Sequence, residues 1–241
     1  MKPPLLQLQG VHTHIGAYHI LHGVDLTVPQ GEVSLLLGRN GVGKTTTLRT
    51  IMGFWRASSG CIRWEGEDIT HWPTPRMADL GMAYVPENMG IFSDLSVEEN
   101  LLLAARTVRR ADQFDAQRLQ RIMEWFPALK TFWRHPAGKL SGGQKQMLAV
   151  ARAIIEPRRL LIVDEPSKGL APAIVDNMVQ AFKQLKAEGV TLLLVEQNLQ
   201  VARALGDQVA VMDDGRVVHA GGLQALMHDE VLQQRLLGLA L

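Results

Sequence analysis

Several features are scarce in this sequence of 241 residues, and each scarcity excludes a class of protein. There is one cysteine, Cys61, so no disulfide can form within the chain, which is compatible with a reducing compartment. The net charge is +1, so no broad positive field indicates nucleic acid, and we expect no nucleic-acid partner. No apolar run approaches the roughly 18 residues that cross a bilayer. We therefore expect any role at a membrane to come through a partner protein.

The sequence does contain apolar, strand-like segments that alternate with helix-like segments. Residues 5–37 are expected to form short strands. The wholly apolar segments 160–163 and 192–195 have the length and composition of strands buried on both faces. A helix is expected with Pro172 near its first turn and Gly189 past its end. This alternation predicts an α/β core with a largely parallel sheet.

The middle of the chain has a different character, because its segments are helical throughout. Ser96 is followed three residues later by Glu99, which predicts a capping box at a helix start. We predict a helical lobe at about residues 93–156, inserted into a core lobe at about 1–92 and 157–241. Together the two lobes would form one domain over residues 1–241.

Residues 38–46, GRNGVGKTT, match the phosphate-binding loop G-x-x-x-x-G-K-[ST]. The glycines let the backbone curl so that its N–H groups face phosphate oxygens, and the following helix adds positive charge at its start. Lys44 can reach the β- and γ-phosphates, and the Thr45 hydroxyl can bind Mg²⁺. The loop lies between a buried strand and a helix, which is the context this pattern requires. The expected contacts are Gly38, Arg39, Asn40, Gly41, Val42, Gly43, Lys44, Thr45 and Thr46.

Two carboxylates follow the buried strand 160–163, in the segment LLIVDEP. Ligands of open α/β sheets collect at the carboxyl ends of the strands, where Asp164 and Glu165 are expected to lie. Asp164 can hold Mg²⁺ directly or through water. Glu165 can face the γ-phosphate and orient an attacking water as a general base.

Residues 140–144, LSGGQ, predict a second helix start with two glycines. One interpretation is an ordinary helix cap formed by Ser141. The other is that Gly142 and Gly143 expose N–H donors to a γ-phosphate. Because the first loop already surrounds the phosphates of one nucleotide, the second would serve a nucleotide held by another subunit. We therefore expect two chains to pack head to tail, with ATP at each composite site.

These three segments, in this order, resemble the ATP-binding subunit of ABC transporters, and the resemblance covers essentially the whole chain. It implies the ABC ATPase fold: a P-loop NTPase core with a mostly parallel sheet, an N-terminal antiparallel β region and an inserted helical lobe. It also implies an ATPase coupled to transport, with ATP and Mg²⁺ as cofactors. Residues 38–46 would be the Walker A loop and Asp164 with Glu165 the Walker B segment. The signature would consist of Ser141, Gly142, Gly143 and Gln144.

Three positions depart from the common pattern of the family. Glu87 stands where most members have a glutamine that senses Mg²⁺ and the membrane partner, and a glutamate can still accept a metal-bound water. Gln197 stands where most have a histidine that touches the γ-phosphate, and it can still donate a hydrogen bond. Ala171, in SKGLAP, stands where an aspartate is expected. The metal ligands implied are Thr45, Glu87 and Asp164, and the catalytic residues are Glu165 and Gln197.

The segments 85–101, 164–172 and 194–198 together resemble the shorter ATPase subunit of branched-chain amino-acid importers. Members of that branch work beside a second, non-identical ATPase subunit, two membrane permeases and a periplasmic substrate-binding protein. The chain would then lie peripherally on the cytoplasmic face of the inner membrane. Similar ATPases serve urea, amides and other hydrophobic amino acids, so an importer of urea or amides is an alternative.

One position departs even from this branch. Where members carry the aromatic residue that stacks on the base, this chain has Ile15, and Tyr18 is a nearby substitute. Either residue could cover the adenine face, but an isoleucine does so without π-stacking. We expect the site built on this Walker A loop to hold ATP less tightly than its partner site.

Two functions of other classes are alternatives to transport. A P-loop phosphotransferase acting on a small acceptor would share residues 38–46 but would not need the signature. A soluble ABC protein of translation or DNA repair would carry two such domains or long coiled coils, and neither is evident. Release of phosphate without a phosphorylated product would separate the first of these from a transport ATPase.

Overall fold

Ten strands and ten α-helices run through residues 4–237, which are the residues that the computed structural model describes. The strands are β1 (Pro4–Ile15), β2 (Tyr18–Pro29), β3 (Val33–Leu37), β4 (Ala57–Trp64), β5 (Glu67–Asp68), β6 (Met82–Val85), β7 (Leu160–Asp164), β8 (Thr191–Val195), β9 (Gln208–Asp213) and β10 (Arg216–Gly222). The helices are α1 (Lys44–Ile51), α2 (Thr74–Asp79), α3 (Val97–Ala104), α4 (Ala116–Trp125), α5 (Pro127–Thr131), α6 (Gly142–Ile154), α7 (Pro172–Ala187), α8 (Leu199–Leu205), α9 (Leu223–His228) and α10 (Glu230–Leu237).

The larger sheet has six strands in the order β10-β9-β3-β8-β7-β6. The five strands from β9 to β6 are parallel, and only β10 runs antiparallel to its neighbour within the described residues. Its central strands β3, β7 and β8 are buried at every position, as strands covered on both faces must be. The sheet therefore confirms the predicted α/β core with a mostly parallel sheet.

Successive residues of the central strands face two different hydrophobic cores, because side chains alternate across a sheet. In β7, Leu161 and Val163 join the core shared with most of the helices. Leu160 and Ile162 join the core between this sheet and the smaller one. The sheet thus forms the middle layer of the molecule and holds the carboxyl ends of β3, β7 and β8 at one edge.

The smaller sheet is antiparallel, in the order β2-β1-β4-β5, and it confirms the predicted antiparallel β region near the N-terminus. The expectation of short strands over residues 5–37 was wrong, since β1 and β2 are 12 residues long each. Register shifts interrupt β1 between Leu8 and Val11, where Gly10 has φ +56°. These irregularities break the alternation of apolar and polar residues, so each long strand resembles shorter pieces in sequence.

Residues 93–156 contribute the four helices α3 to α6 and no strand of either sheet. Helix α3 begins at the predicted capping box, in which the Ser96 hydroxyl accepts from the Glu99 N–H and the Glu99 carboxylate accepts from the Ser96 N–H. Leu101 of α3 and Leu148 of α6 are buried in the same core as the parallel sheet. Among residues 4–237, none of the helices combines the length and the apolar character that a membrane span requires.

Candidate active site

The loop between β3 and α1 is a tight turn that only glycine can make at two of its positions. Gly38 has φ +144°, and a Cβ atom there would lie 2.4 Å from the Met212 carbonyl oxygen at the end of β9. Gly43 has φ +104° directly before α1, and a Cβ there would lie 3.0 Å from Leu21 Cδ2. The loop is therefore clamped between β9 and β2, with the N-terminus of α1 at its floor.

Lys44 folds back over this loop rather than reaching into solvent. Its Nζ donates to the carbonyl oxygens of Gly38 and Arg39, both at 2.8 Å, and its residue is only 5% exposed. Burial lowers the pKa of Lys44, while the neighbouring carboxylates of Glu165 and Asp164 oppose that shift. The Lys44 ammonium and the N-terminus of α1 thus lie at the same loop, and this arrangement suits a polyphosphate. The loop residues expected to line it are Asn40, Gly41, Val42, Thr45 and Thr46.

Asp164 ends β7 and is completely buried. Its Oδ2 accepts from the Tyr84 hydroxyl at 3.3 Å, while Oδ1 has no hydrogen-bond partner within the described residues. Burial raises the pKa of Asp164, the Thr45 hydroxyl opposes this rise, and the charges of Glu165 and Glu87 add to it. A buried carboxylate oxygen without a partner, beside a threonine hydroxyl, is a fitting pair of ligands for Mg²⁺.

Glu165 follows at once, and its backbone has the unusual φ of +49°. Its Oε1 accepts from Gln197 Nε2 at 2.5 Å and lies 4.0 Å from Lys44 Nζ. The same Gln197 nitrogen donates to Asn40 Oδ1 at 2.7 Å. The two residues expected to be catalytic, Glu165 and Gln197, are therefore in contact, and both lie beside the phosphate-binding loop.

Glu87 lies in the loop after β6 and is about half exposed. Its Oε1 accepts from Lys168 Nζ at 2.6 Å. The same Nζ lies 3.1 Å from Glu165 Oε2. The hydrogen bond from Lys168 to Glu87 and the ion pair with Glu165 raise the pKa of this lysine to about 12. We did not predict Lys168 from the sequence, although it lies in the departing segment SKGLAP.

A second residue that we did not predict is Glu196, which is only 2% exposed. It accepts from the Ser167 hydroxyl at 2.8 Å, from the Ser167 N–H at 3.1 Å and from the N–H groups of Gln197 and Asn198 at 3.1 and 3.2 Å. Burial raises the pKa of Glu196, and these hydrogen bonds oppose the shift. The sequence signal was an acidic residue directly after the buried strand β8.

The segment Ser141–Gln144 lies elsewhere, at the N-terminus of α6. The Ser141 hydroxyl accepts from the Gln144 N–H, and the Gln144 side chain accepts from the Ser141 N–H, so a capping box is present. A Cβ on Gly142 would meet open space, whereas one on Gly143 would lie 3.0 Å from Ile174 of α7. Within residues 4–237, no hydrogen bond or ion pair joins this segment to the loop 38–46.

Ile15 and Tyr18 face each other across the end of the β1–β2 hairpin. Tyr18 is 76% exposed, whereas Ile15 is half-buried. The hairpin reaches the phosphate loop, since a Cβ on Gly43 would lie 3.5 Å from the Ile20 carbonyl oxygen. Both candidates for the adenine contact therefore lie on the element next to the loop, and the choice between them stays a prediction.

Four histidines, His12, His14, His19 and His22, also lie on this hairpin. His19 stacks on His14 with ring centroids 4.1 Å apart and contacts His22 at the same distance. His12 Nδ1 lies 3.0 Å from His19 Nε2. Across the described residues, no group of three or more His, Cys, Asp or Glu side chains has the geometry to hold a metal ion. The four histidine rings therefore pack against one another on the surface of the smaller sheet.

Comparison with known proteins places this site in a family. The family described as ABC transporter matches residues 21–168. The chain is 40% identical over 228 residues to the high-affinity branched-chain amino acid transport ATP-binding protein BraG of Pseudomonas aeruginosa, covering 94% of this chain and 97% of the relative. It is 35% identical to the probable branched-chain amino acid transport ATP-binding protein LivF of Archaeoglobus fulgidus, covering 92% and 93%. Other relatives are named for ribose import and lipopolysaccharide export.

Solved structures agree with the sequence relatives. The ADP conformation of MJ1267, an ATP-binding cassette of an ABC transporter, superimposes with a TM-score of 0.79 at 25% identity, covering 96% of this chain and 97% of that one. A nucleotide-free ATP-binding cassette gives a TM-score of 0.82 and covers 99% and 100%. The chain therefore belongs to the ABC transporter family, as an ATP-binding subunit whose hydrolysis of ATP is coupled to transport.

Proposed function

We propose that the chain powers an importer of branched-chain or other hydrophobic amino acids. The names of its 40% and 35% identical relatives support this cargo. The ATPase role rests on one observation above all: Lys44, Asp164 and Glu165 converge at the carboxyl edge of one parallel sheet. An importer of urea or amides would use the same site, because the cargo is selected by other subunits.

Each residue of the site has a role in hydrolysis. Lys44 and the N–H groups of the loop 38–46 hold the β- and γ-phosphates of ATP. Thr45 and Asp164 would hold Mg²⁺, with Glu87 accepting from a water bound to it. When bound, Mg²⁺ neutralises charge that develops on the phosphate oxygens. Glu165 takes a proton from the attacking water, and the amide of Gln197 holds Glu165 in position. The second N–H of this amide, which donates to Asn40, could instead donate to the γ-phosphate once it releases Asn40.

We propose that a second ATPase subunit, different from this chain, completes each site with its own signature helix. The support lies in α6, since Gly142 and Gly143 have N–H groups without an acceptor among residues 4–237. Such donors stabilise an anion. Because the described structure has no hydrogen bond or ion pair between Ser141–Gln144 and the loop 38–46, the anion would belong to the neighbouring subunit.

We further propose a division into a core lobe, about 1–92 and 157–241, and a helical lobe, about 93–156. A groove of about 620 Å³ lies between segments of the two and is lined by apolar and basic side chains, among them Phe54, Tyr84, Met89 and Arg152. Phe92, 49% exposed, lies beside it under the Arg152 guanidinium. This surface suits one of two membrane permeases, which would receive cargo from a periplasmic binding protein and hold the chain on the cytoplasmic face of the inner membrane.

A Glu165→Gln variant tests the site and the composite subunit arrangement together. We expect turnover to fall about 10²–10⁴-fold because the general base is lost, while ATP binding persists. The variant should then accumulate as an ATP-bound dimer, alone or with the second ATPase subunit, in size-exclusion chromatography with light scattering. ADP should leave it monomeric.

Lys44→Ala serves as the control, because it should neither bind ATP nor dimerise. Two results would contradict the proposal: full activity of Glu165→Gln, or a wild-type chain that remains monomeric while hydrolysing ATP at its maximal rate. Transport of a radiolabelled branched-chain amino acid or urea in vesicles containing the whole complex identifies the cargo.

A further inference from the structure

Lys168 occupies an unusual position between two carboxylates of the proposed site. It lies in the loop that joins β7 to α7, three residues after Glu165. Its Nζ is 2.6 Å from Glu87 Oε1 and 3.1 Å from Glu165 Oε2. One ammonium therefore bridges the loop after β6 and the loop after β7, which are 81 residues apart in sequence.

The charges around the site explain why such a bridge is needed. Asp164, Glu165 and Glu87 bring three carboxylates together, and a glutamine at position 87 would bring only two. Lys44 offsets part of this charge, but its Nζ is committed to two loop carbonyls and stays 4.0 Å from Glu165. Lys168 is the cation that directly contacts the additional carboxylate. Without it, like charges would face each other.

The lysine can also leave. Its side chain is 55% exposed, and ion pairs at such positions contribute little to folding stability. A long, flexible side chain can swing into solvent without opening a cavity. Glu165, in contrast, is held at 9% exposure by Gln197 as well. The bridge is thus a replaceable contact and does not support the fold.

We propose that Lys168 is a positioning residue that neutralises Glu87 and Glu165 before the metal is bound, and that it must release Glu87 for Mg²⁺ to bind. This inference rests on the proposed function, in which Glu87 and Asp164 serve the metal. Lys168 thereby sets the Mg²⁺ concentration at which the nucleotide site becomes metal-loaded. It compensates within this chain for the glutamate at position 87.

A titration of Mg²⁺ into purified chain with bound fluorescent mant-ADP tests the proposal without measuring activity. Mg²⁺ and ADP associate in solution to the same extent in every titration. A difference in midpoint between two variants is therefore caused by the substitution in the protein. Lys168→Met removes the competing charge, and we expect its midpoint to fall about two- to fivefold. Lys168→Arg keeps the charge and should match the wild type. Lys183→Met, at an exposed position of α7, is the matched control and should leave the midpoint unchanged.

The same Mg²⁺ titration in a Glu87→Gln background measures how much of the shift in midpoint depends on the ion pair between Lys168 and Glu87. Because Lys168 then faces Glu165 alone, Lys168→Met should lower the midpoint by less than it does in the wild-type background. An unchanged midpoint for Lys168→Met, or an equal shift in both backgrounds, would overturn the inference. If the wild-type chain binds no mant-ADP, or binds it without any response to Mg²⁺, the proposed function itself fails.

Discussion

Two helix N-termini in this protein carry glycines and are proposed to bind phosphate, yet they are built differently. The start of α1 is enclosed: Gly38 and Gly43 adopt positive φ, and neighbouring strands press on both. The start of α6 is open, since a side chain on Gly142 would extend into free space. The first is capped by no side chain, whereas Ser141 and Gln144 cap the second.

The two helix starts differ in how much of a phosphate-binding site each one supplies. At α1, the chain itself supplies the curled backbone, the buried ammonium of Lys44 and the adjacent carboxylates. At α6, the chain supplies the helix dipole and two N–H groups that have no acceptor among residues 4–237. We therefore expect the N-terminus of α1 to bind an anion by itself, whereas the N-terminus of α6 needs a second subunit that brings the anion to it.

The largest effect should come from the enclosed start. Lys44→Ala removes the only ammonium inside the described part of the phosphate loop, so binding of ATP should be lost and turnover should fall about 10³-fold. Equilibrium binding of a fluorescent ATP analogue measures the first effect, and phosphate release measures the second. ATP affinity within twofold of wild type would show that the loop does not need its own lysine.

A smaller loss, about 10²-fold in turnover, is expected for Gly142→Asp, because a carboxylate at the open start repels the γ-phosphate. Binding of ATP by the isolated chain should be retained, since within residues 4–237 the segment Ser141–Gln144 has no hydrogen bond or ion pair with the loop 38–46. Gly142→Ala is the matched control, as its methyl group meets open space and should preserve most of the activity. If Gly142→Asp lost ATP binding as a monomer, the two starts would serve one nucleotide in the same chain.

The smallest effect concerns the adenine end of the enclosed site. Ile15→Tyr places an aromatic ring at the end of the hairpin next to Gly43, and we expect ATP affinity to rise about 2–10-fold through stacking. Tyr18→Ala should lower affinity by a similar factor if the native tyrosine already fills this role. Isothermal titration calorimetry with ATP and with triphosphate alone separates the contribution of the base, and unchanged affinity in both variants would exclude this hairpin from adenine binding.

Local patterns in the sequence predicted much of this molecule. The phosphate loop, the capping box at Ser96, the helix cap at Ser141 and the buried strands β7 and β8 depend on residues close together in the chain, so local spacing identifies them. The length of β1 escaped prediction because a bulge at Gly10 disrupts its alternation.

The contacts that refine the site could not be predicted in the same way. Lys168 meets Glu87 across 81 residues, and Glu196 meets Ser167 across 29. The periodicity of apolar residues in the sequence cannot predict such pairs, because they form only after the parallel sheet brings its loops together at one edge. The sequence did indicate where to look, because both residues lie in segments next to predicted catalytic positions.

Glu196 has a mechanical consequence of its own. One sheltered carboxylate ties Ser167, ahead of α7, to Gln197 and Asn198, ahead of α8. Separating these loops would break hydrogen bonds of Glu196 and leave a buried carboxylate without partners, which costs free energy. We therefore expect the two loops to move together, so that a displacement of Gln197 would be passed on to the loop that carries Lys168.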